Sequence, residues 1–238
     1  MLLKDISLPT PQENILFDEV LLHLAEENSS EEVLRFWESD IFFIVLGRIS
    51  KEKEDVHFST VQLDHIPVLR RSSGGGTVLQ GPGCLNFSLI LSKERNPGLN
   101  DVRKSYEHIL GQVIHALKQL GVEAVFLPTS DVALKNGQKK ISGNAQRRLR
   151  KYILHHGTIL YDFDLQKIKR YLNIPRDMPV YRQGRSHLDF VANIHLPVER
   201  IKAQLIEEFS ANERHDGLSK EEERRLAELL DSKKVLVV

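Results

Sequence analysis

The chain has 238 residues, 41% hydrophobic and 28% charged, a balance that allows a buried core. Lys plus Arg equals Asp plus Glu at 33 each, so no net charge directs it to nucleic acid or to a membrane surface. A single cysteine excludes an intrachain disulfide, no apolar run approaches the ~20 residues of a membrane span, and the N-terminus lacks a signal-peptide core; a cytoplasmic protein is expected.

TPQENILFDEVLLHLAEEN (10–28) predicts a helix, with Pro11 in its first turn and Ile15, Val20, Leu21, Leu22 and Leu24 at helical spacing. DIFFIVLGR (40–48) predicts a short buried strand. RRSSGGGTV (70–78) and CLNFSLIL (84–91) predict two strands around the turn Gly81-Pro82-Gly83. A helix follows, with Asn100 as N-cap, an apolar stripe of Val102, Tyr106, Ile109, Leu110, Val113, Ile114, Leu117 and Leu120, and Gly121 as its C-terminal stop. Strands are predicted at EAVFL (123–127), in SDVALKNGQKKISG (130–143) folded at Asn136-Gly137, and at LHHGTILYDF (154–163). DLQKIKRYL (164–172) predicts a helix and 174–197 an irregular stretch. Two helices then close the chain, VERIKAQLIEEFSAN (198–212) and SKEEERRLAELLDSK (219–233), the second opened by a capping box of Ser219 and Glu222. No repeat or linker interrupts residues 1–238, so a single domain is expected. Helices interspersed with hairpin-linked strands, without βαβ regularity, predict an α+β fold around a largely antiparallel or mixed sheet flanked by helices.

Three stretches carry chemistry. The run Gly74, Gly75, Gly76 costs backbone entropy and admits close approach of a ligand, while Arg70 and Arg71 suit phosphate or carboxylate. A wide turn with a bulge explains the same residues. Neither a P-loop nor a dinucleotide fingerprint is present. Asp131 at the start of one strand and Lys140 just after the hairpin turn can converge, and a lysine aimed at an oxyanion offsets its charge. On spacing alone, a solvated hairpin with surface lysines explains that pair better. His155 and His156, adjacent on a strand, point to opposite faces and cannot share a metal; no metal-ligand motif accompanies them.

Taken together, RRSSGGGTVLQGPGCLNFSLIL, SDVALKNGQKKISGNAQRR and HHGTIL resemble the lipoate–protein ligase A family of the biotin/lipoate ligase and octanoyltransferase group, from about residue 12 to about residue 232. VLRFWESDIFFIVLGR resembles the family's strand leading towards the site. The resemblance implies the class II synthetase-like catalytic fold of that group. It implies ATP and Mg2+ as cofactors and lipoate or octanoate as a substrate converted to acyl-AMP. The acyl group would pass to a lysine of a lipoyl domain, on a dehydrogenase E2 subunit or the glycine cleavage H protein. By the same resemblance Arg70, Ser72, Gly74, Gly75, Gly76 and Thr77 would line the acyl and phosphate site. Lys140 would contact the acyl carbonyl and phosphate oxygens, and Asp131 would sit near nucleotide and incoming amine. Ser142, Gly143 and Ala145 would shape the pocket wall, with His156, Gly157 and Thr158 on the adjoining strand. FFIVLG and CLNFSLIL would supply an apolar tunnel for the acyl tail.

The family's larger members carry a C-terminal accessory domain. The chain is expected to lack it, which raises a separate accessory subunit as a partner. Two alternatives remain open: an ATP-independent octanoyl or lipoyl transferase, with Cys84 the only candidate nucleophile, and a non-catalytic protein that binds lipoate or a lipoyl domain. Cys84 follows Gly83 at the head of a strand, where cysteine packs as a small hydrophobe. A biotin ligase is disfavoured, since its GRGRxGRxW-type loop is missing. Residues 139–151 hold Lys139, Lys140, Arg147, Arg148, Arg150 and Lys151, a positive cluster suited to an acidic lipoyl domain or simply to solvent.

Overall fold

A computed structural model describes residues 1–29 and 31–232. The chain opens with strand β1 (Leu2–Asp5) and helix α1 (Pro11–Asn28). Thr10 caps α1 in a box with Glu13: Glu13 N donates to Thr10 Oγ1 (3.2 Å) and Thr10 N to Glu13 Oε2 (2.7 Å). The next strands are β2 (Val33–Trp37) and β3 (Phe43–Leu46). VLRFWESDIFFIVLGR is therefore two strands, and they belong to different sheets. After the short helices α2 (Glu52–Asp55) and α3 (Phe58–Leu63) come β4 (Val68–Arg70), β5 (Val78–Gln80) and β6 (Cys84–Ser92). RRSSGGGTV is thus mostly a loop, 71–77, between β4 and β5, because Arg71 pulls its carbonyls inward instead of leaving them to a ladder.

Helix α4 (Val102–Gln119) is capped by Asp101, not Asn100: the Asp101 side chain accepts from Lys104 N at 2.8 Å, while Asn100 ends a 3-10 turn over Pro97–Asn100. Gly121, at φ +82°, follows its C-cap. Strands β7 (Ala124–Leu127), β8 (Asp131–Leu134), β9 (Lys140–Arg148) and β10 (Tyr152–Leu160) form consecutive antiparallel pairs. The β8–β9 hairpin turns where Gly137 takes φ +75°, and β9 runs five residues beyond the predicted limit at Gly143. Helices α5 (Leu165–Tyr171) and α6 (His187–Phe190) follow, the latter a single turn within the stretch read as irregular. Helix α7 (Val198–Glu208), the two-residue strand β11 (Glu213–Arg214) and helix α8 (Lys220–Ser232) complete the described chain. Ser219 and Glu222 make the expected capping box at α8; residue 233, the last of that predicted helix, lies outside the described residues.

Among the described residues the main sheet runs β11-β1-β2-β6-β10-β9-β8-β7, and a second sheet runs β4-β3-β5. The main sheet is parallel at β11-β1-β2 and antiparallel from there on, so it is mixed. Central β6 is buried along its whole length, with alternate residues serving two layers. Leu85, Phe87, Leu89 and Leu91 face one core with Ile109, Leu110 and Val113 of α4 and Ile201 and Leu205 of α7. On the other face, Ile90 packs under α1 and α8, and Cys84 packs with Ile44, Leu46 and Leu79 of the small sheet. The small sheet lies on the main one as a third layer, and the glycine loop hangs from the end of that layer. No helix among the described residues is long and apolar enough to cross a membrane.

His155 faces the α4 core, fully buried between Phe87 and Tyr106. Burial, reinforced by the neighbouring His156, pushes it down to about 3. The folded protein therefore keeps His155 neutral, whereas the unfolded chain binds a proton below about 6.5. Between those values the unfolded state holds more protons, so stability rises with pH and is lost as pH falls below about 6.5. His187, also lowered by burial, acts in the same direction. Urea unfolding between pH 7 and 5 should show falling stability, and His155→Gln should flatten the slope by about 1.4 kcal/mol per pH unit. An unchanged slope in that variant would refute the assignment.

Candidate active site

The loop 71–77 is organised by Arg71. Its guanidinium is nearly fully buried and donates to Gly74 O (2.7 Å), Gly76 O (2.8 Å) and Val45 O (3.3 Å), while Nε donates to Ser73 Oγ (3.0 Å). Burial pulls it down to about 10, so it remains a cation at neutral pH. Gly75 takes φ +85°, and a Cβ there would lie 2.9 Å from Arg71. From the outside, Gly47 closes on the loop so tightly that its own Cβ would come within 1.9 Å of Gly75 O. These two positions explain why glycine is needed: the loop is folded onto an arginine and pressed against a neighbouring turn. Gly75 and Gly76 themselves are exposed, with nothing beside a Cβ built on Gly76. Arg70 points elsewhere: it is exposed and ties down the 47–50 turn through Gly47 O and Ser50 O, both at 2.8 Å. Ser72 is half-buried, and the Thr77 hydroxyl donates to Asp55 of α2.

The second half of the site is the start of the β8–β9 hairpin. Lys140 Nζ lies 2.7 Å from Asp131 Oδ1, at a point where the two strands pair through Asp131 and Gly143. A Cβ on Gly143 would sit 2.9 Å from Lys140 Nζ, so the glycine keeps room for the amine. The other carboxylate oxygen of Asp131 accepts from the Tyr181 hydroxyl at 2.6 Å. Burial, the negative charge of Asp131 and that bond all push the Tyr181 phenol up. Tyr181 belongs to the irregular stretch, which is strapped over the hairpin: Arg185 donates to Gly137 O and Gln138 O, and Ala192 N to Lys140 O.

The halves meet on β9. Ala145 is two residues along from Gly143, and a Cβ on Gly75 would approach it to 3.9 Å. Across the sheet Ala145 pairs with His156, His156 with Ser88 and Ser88 with Arg35. His156 Nε2 lies 2.6 Å from Ser73 Oγ, so this histidine faces the loop while His155 faces the core. Ser142 and Gly157 lie off the site. Ser142 is buried under Asn144, and a Cβ on Gly157 would strike Asn144 and the Phe87 ring in the core. Thr158 is beside the Cys84 thiol. Loop glycines, Ala145, His156, Gly143, Lys140 and Asp131 are thus brought together, whereas Arg70, Ser142, Gly157 and Thr158 stand behind them.

Residues that the sequence reading passed over include Asp18, Arg35, Ser73, Gly47 and Tyr181. Two left a signal: Asp18 and Arg35 are charges inside the apolar runs NILFDEVLL and VLRFW, and they pair at 2.7 Å, fully buried. Tyr181 left none, because its stretch has no periodicity. In the positive cluster, Arg148 and Lys151 donate to carbonyls of 99–100 and 26, and Lys139, Arg150 and Lys151 are exposed. Buried Trp37 Nε1 and Gln80 Oε1 have no hydrogen-bond partner among the described residues, and Trp37 lies where the two sheets meet, stacked on Phe43.

Cys84 is fully buried among aliphatic and aromatic side chains, and burial pushes its thiol far up. Native protein is therefore expected to resist iodoacetamide and to react only after unfolding in guanidinium. Rapid labelling of the native thiol would restore Cys84 as a candidate nucleophile.

The sequence profile of the lipoyl protein ligase A/B catalytic domain matches residues 10–210. A probable lipoate-protein ligase A of Mycoplasma pneumoniae is 32% identical over 184 residues, 77% of this chain and 52% of that protein. The chain spans about half the length of the curated relatives it matches. Among solved structures, the bi-partite lipoate protein ligase of Thermoplasma acidophilum superposes with a TM-score of 0.83 at 26% identity, covering 98% of this chain and 92% of that one. A Thermoplasma acidophilum protein described as a lipoate ligase with bound lipoic acid gives 0.78 at 25% identity, over 97% of this chain and 95% of that one.

Proposed function

Because the chain belongs to the family of lipoyl protein ligase A/B catalytic domains, we propose that it is a lipoate–protein ligase, activating lipoate or octanoate with ATP and transferring the acyl group to a lysine of a lipoyl domain. The observation that carries this reading is the Lys140–Asp131 pair, whose lysine begins the strand against which the glycine loop lies.

In the first step a carboxylate oxygen of the acid attacks the α-phosphorus of ATP, and the bond to the departing pyrophosphate breaks. Lys140 Nζ, released from Asp131, would hold the acyl carbonyl and phosphate oxygens and offset the charge that collects there. The bare backbone of Gly75 and Gly76 would accept the adenylate closely. Mg2+ bound to the triphosphate would supply charge neutralisation there. In the second step the acceptor lysine amine attacks the acyl carbonyl, AMP leaves, and Asp131 would take the amine proton. The acyl tail would lie along the apolar segments FFIVLG and CLNFSLIL.

The test incubates the chain with an apo lipoyl domain of an E2 subunit or H protein, lipoate, ATP and Mg2+, and reads the acceptor's mass. A second arm adds a separate accessory subunit, as the bi-partite Thermoplasma ligase suggests, and a third supplies octanoyl-acyl carrier protein without ATP. Acylation in the ATP arms is expected. Acylation only in the third, abolished by Cys84→Ser, would replace the ligase by a transferase.

A further inference from the structure

The buried pair Asp18–Arg35 lies beneath the site, and the proposed chemistry does not use it. It is nonetheless joined to the glycine loop by a series of hydrogen bonds and one charge contact at 3.8 Å. Asp18 Oδ1 accepts from Arg35 Nη1 (2.7 Å) and Oδ2 from Ser88 Oγ (2.6 Å). The same Oδ2 faces His156 Nδ1 at 3.8 Å. The other nitrogen of that ring meets Ser73 Oγ at 2.6 Å, Ser73 accepts from Arg71, and Arg71 holds the carbonyls of Gly74 and Gly76.

We propose that Asp18 is a positioning residue for the glycine loop, acting through His156 and Ser73. Three glycines have almost no stiffness of their own, so contacts must impose the loop's shape. A carboxylate opposite Nδ1 favours the imidazole tautomer with its proton there. Nε2 is then an acceptor, the Ser73 hydroxyl donates to it, and the hydroxyl oxygen presents its lone pairs to Arg71. With the proton on Nε2, Ser73 would lose the acceptor for its hydroxyl, and the link that fixes Arg71 would loosen. The order Ser73, His156, Asp18 resembles a nucleophile, its base and an orienting acid. Burial sets that role aside: Ser73 is only 1% exposed, and its Oγ already accepts from the buried Arg71.

The activity part of the test rests on the function proposed above; the other readouts need no turnover. Nitrogen-15 imidazole spectra should show His156 in the Nδ1–H tautomer in the wild type and shifted towards Nε2–H in Asp18→Asn. Amide exchange at Arg48, whose N–H donates to Ser73 O of the loop at 2.9 Å, should rise roughly tenfold or more in Asp18→Asn and in Ser73→Ala, the loss of one buried hydrogen bond to a charged network. In lipoate activation both variants should raise KM for the acid about tenfold, with kcat less affected. Asp18→Asn endangers folding because it strands Arg35; Ser73→Ala leaves that pair intact and carries the test alone if necessary. An Nε2–H tautomer in the wild type, unchanged Arg48 exchange in Ser73→Ala, or labelling of Ser73 by a fluorophosphonate would overturn the proposal. Loop effects without any lipoate activation would support it and count against the ligase reading instead.

Discussion

Lys140→Ala is expected to lower acyl-adenylate formation by about 10²–10³-fold, the range seen when a donor to a developing oxyanion is removed. The side chain is about one quarter exposed and makes its ion pair with Asp131, so its loss should leave the fold standing. Asp131 keeps the Tyr181 hydroxyl as a partner and is not stranded. The defect should therefore appear in the chemical step, with little change in thermal midpoint. Pyrophosphate exchange dependent on lipoate measures that step without the acceptor protein. A Lys140→Ala variant that exchanges at the wild-type rate would remove Lys140 from the mechanism.

Gly47→Ala should impair the site from outside it. An added Cβ would lie 1.9 Å from Gly75 O and 2.9 Å from Gly75 C. Both are backbone atoms, so no side-chain rotation relieves the contact, and the loop itself must shift by more than an ångström. Misplacement of that size costs roughly 10²-fold in rate when it separates reacting groups. Gly217→Ala, outside the site, is the matched control, since a Cβ there meets nothing within 4 Å. Steady-state activation by the two variants checks the argument. Gly47→Ala acting like wild type would show that the loop tolerates displacement.

Much of this architecture is legible in the sequence because the local signals are strong. The stripe from Val102 to Leu120 and its terminal Gly121 give α4; Asn136-Gly137 gives the hairpin that brings Lys140 to Asp131. The boundaries that misled were those set by distant contacts. Asn100 and Asp101 are both good caps, and only the bond to Lys104 N selects Asp101. The run 71–77 looks extended until Arg71 is seen to gather its carbonyls. Adjacent arginines show the same limit: Arg70 and Arg71 are alike in sequence, yet one braces the 47–50 turn and the other is buried inside the loop. Asp18, Tyr181 and Gly47 act through residues far away in the chain, so only the fold reveals them.

The central claim is that the glycine loop and Lys140 form one receptor for an activated acyl group. Calorimetric titration with a lipoyl-sulfamoyl adenosine, a stable mimic of the acyl-adenylate, tests it without turnover or partner. One site per chain is predicted, weakened about 10–100-fold in Lys140→Ala by loss of a charged hydrogen bond. Equal affinity in wild type and Lys140→Ala, or no binding to the wild type, would contradict it.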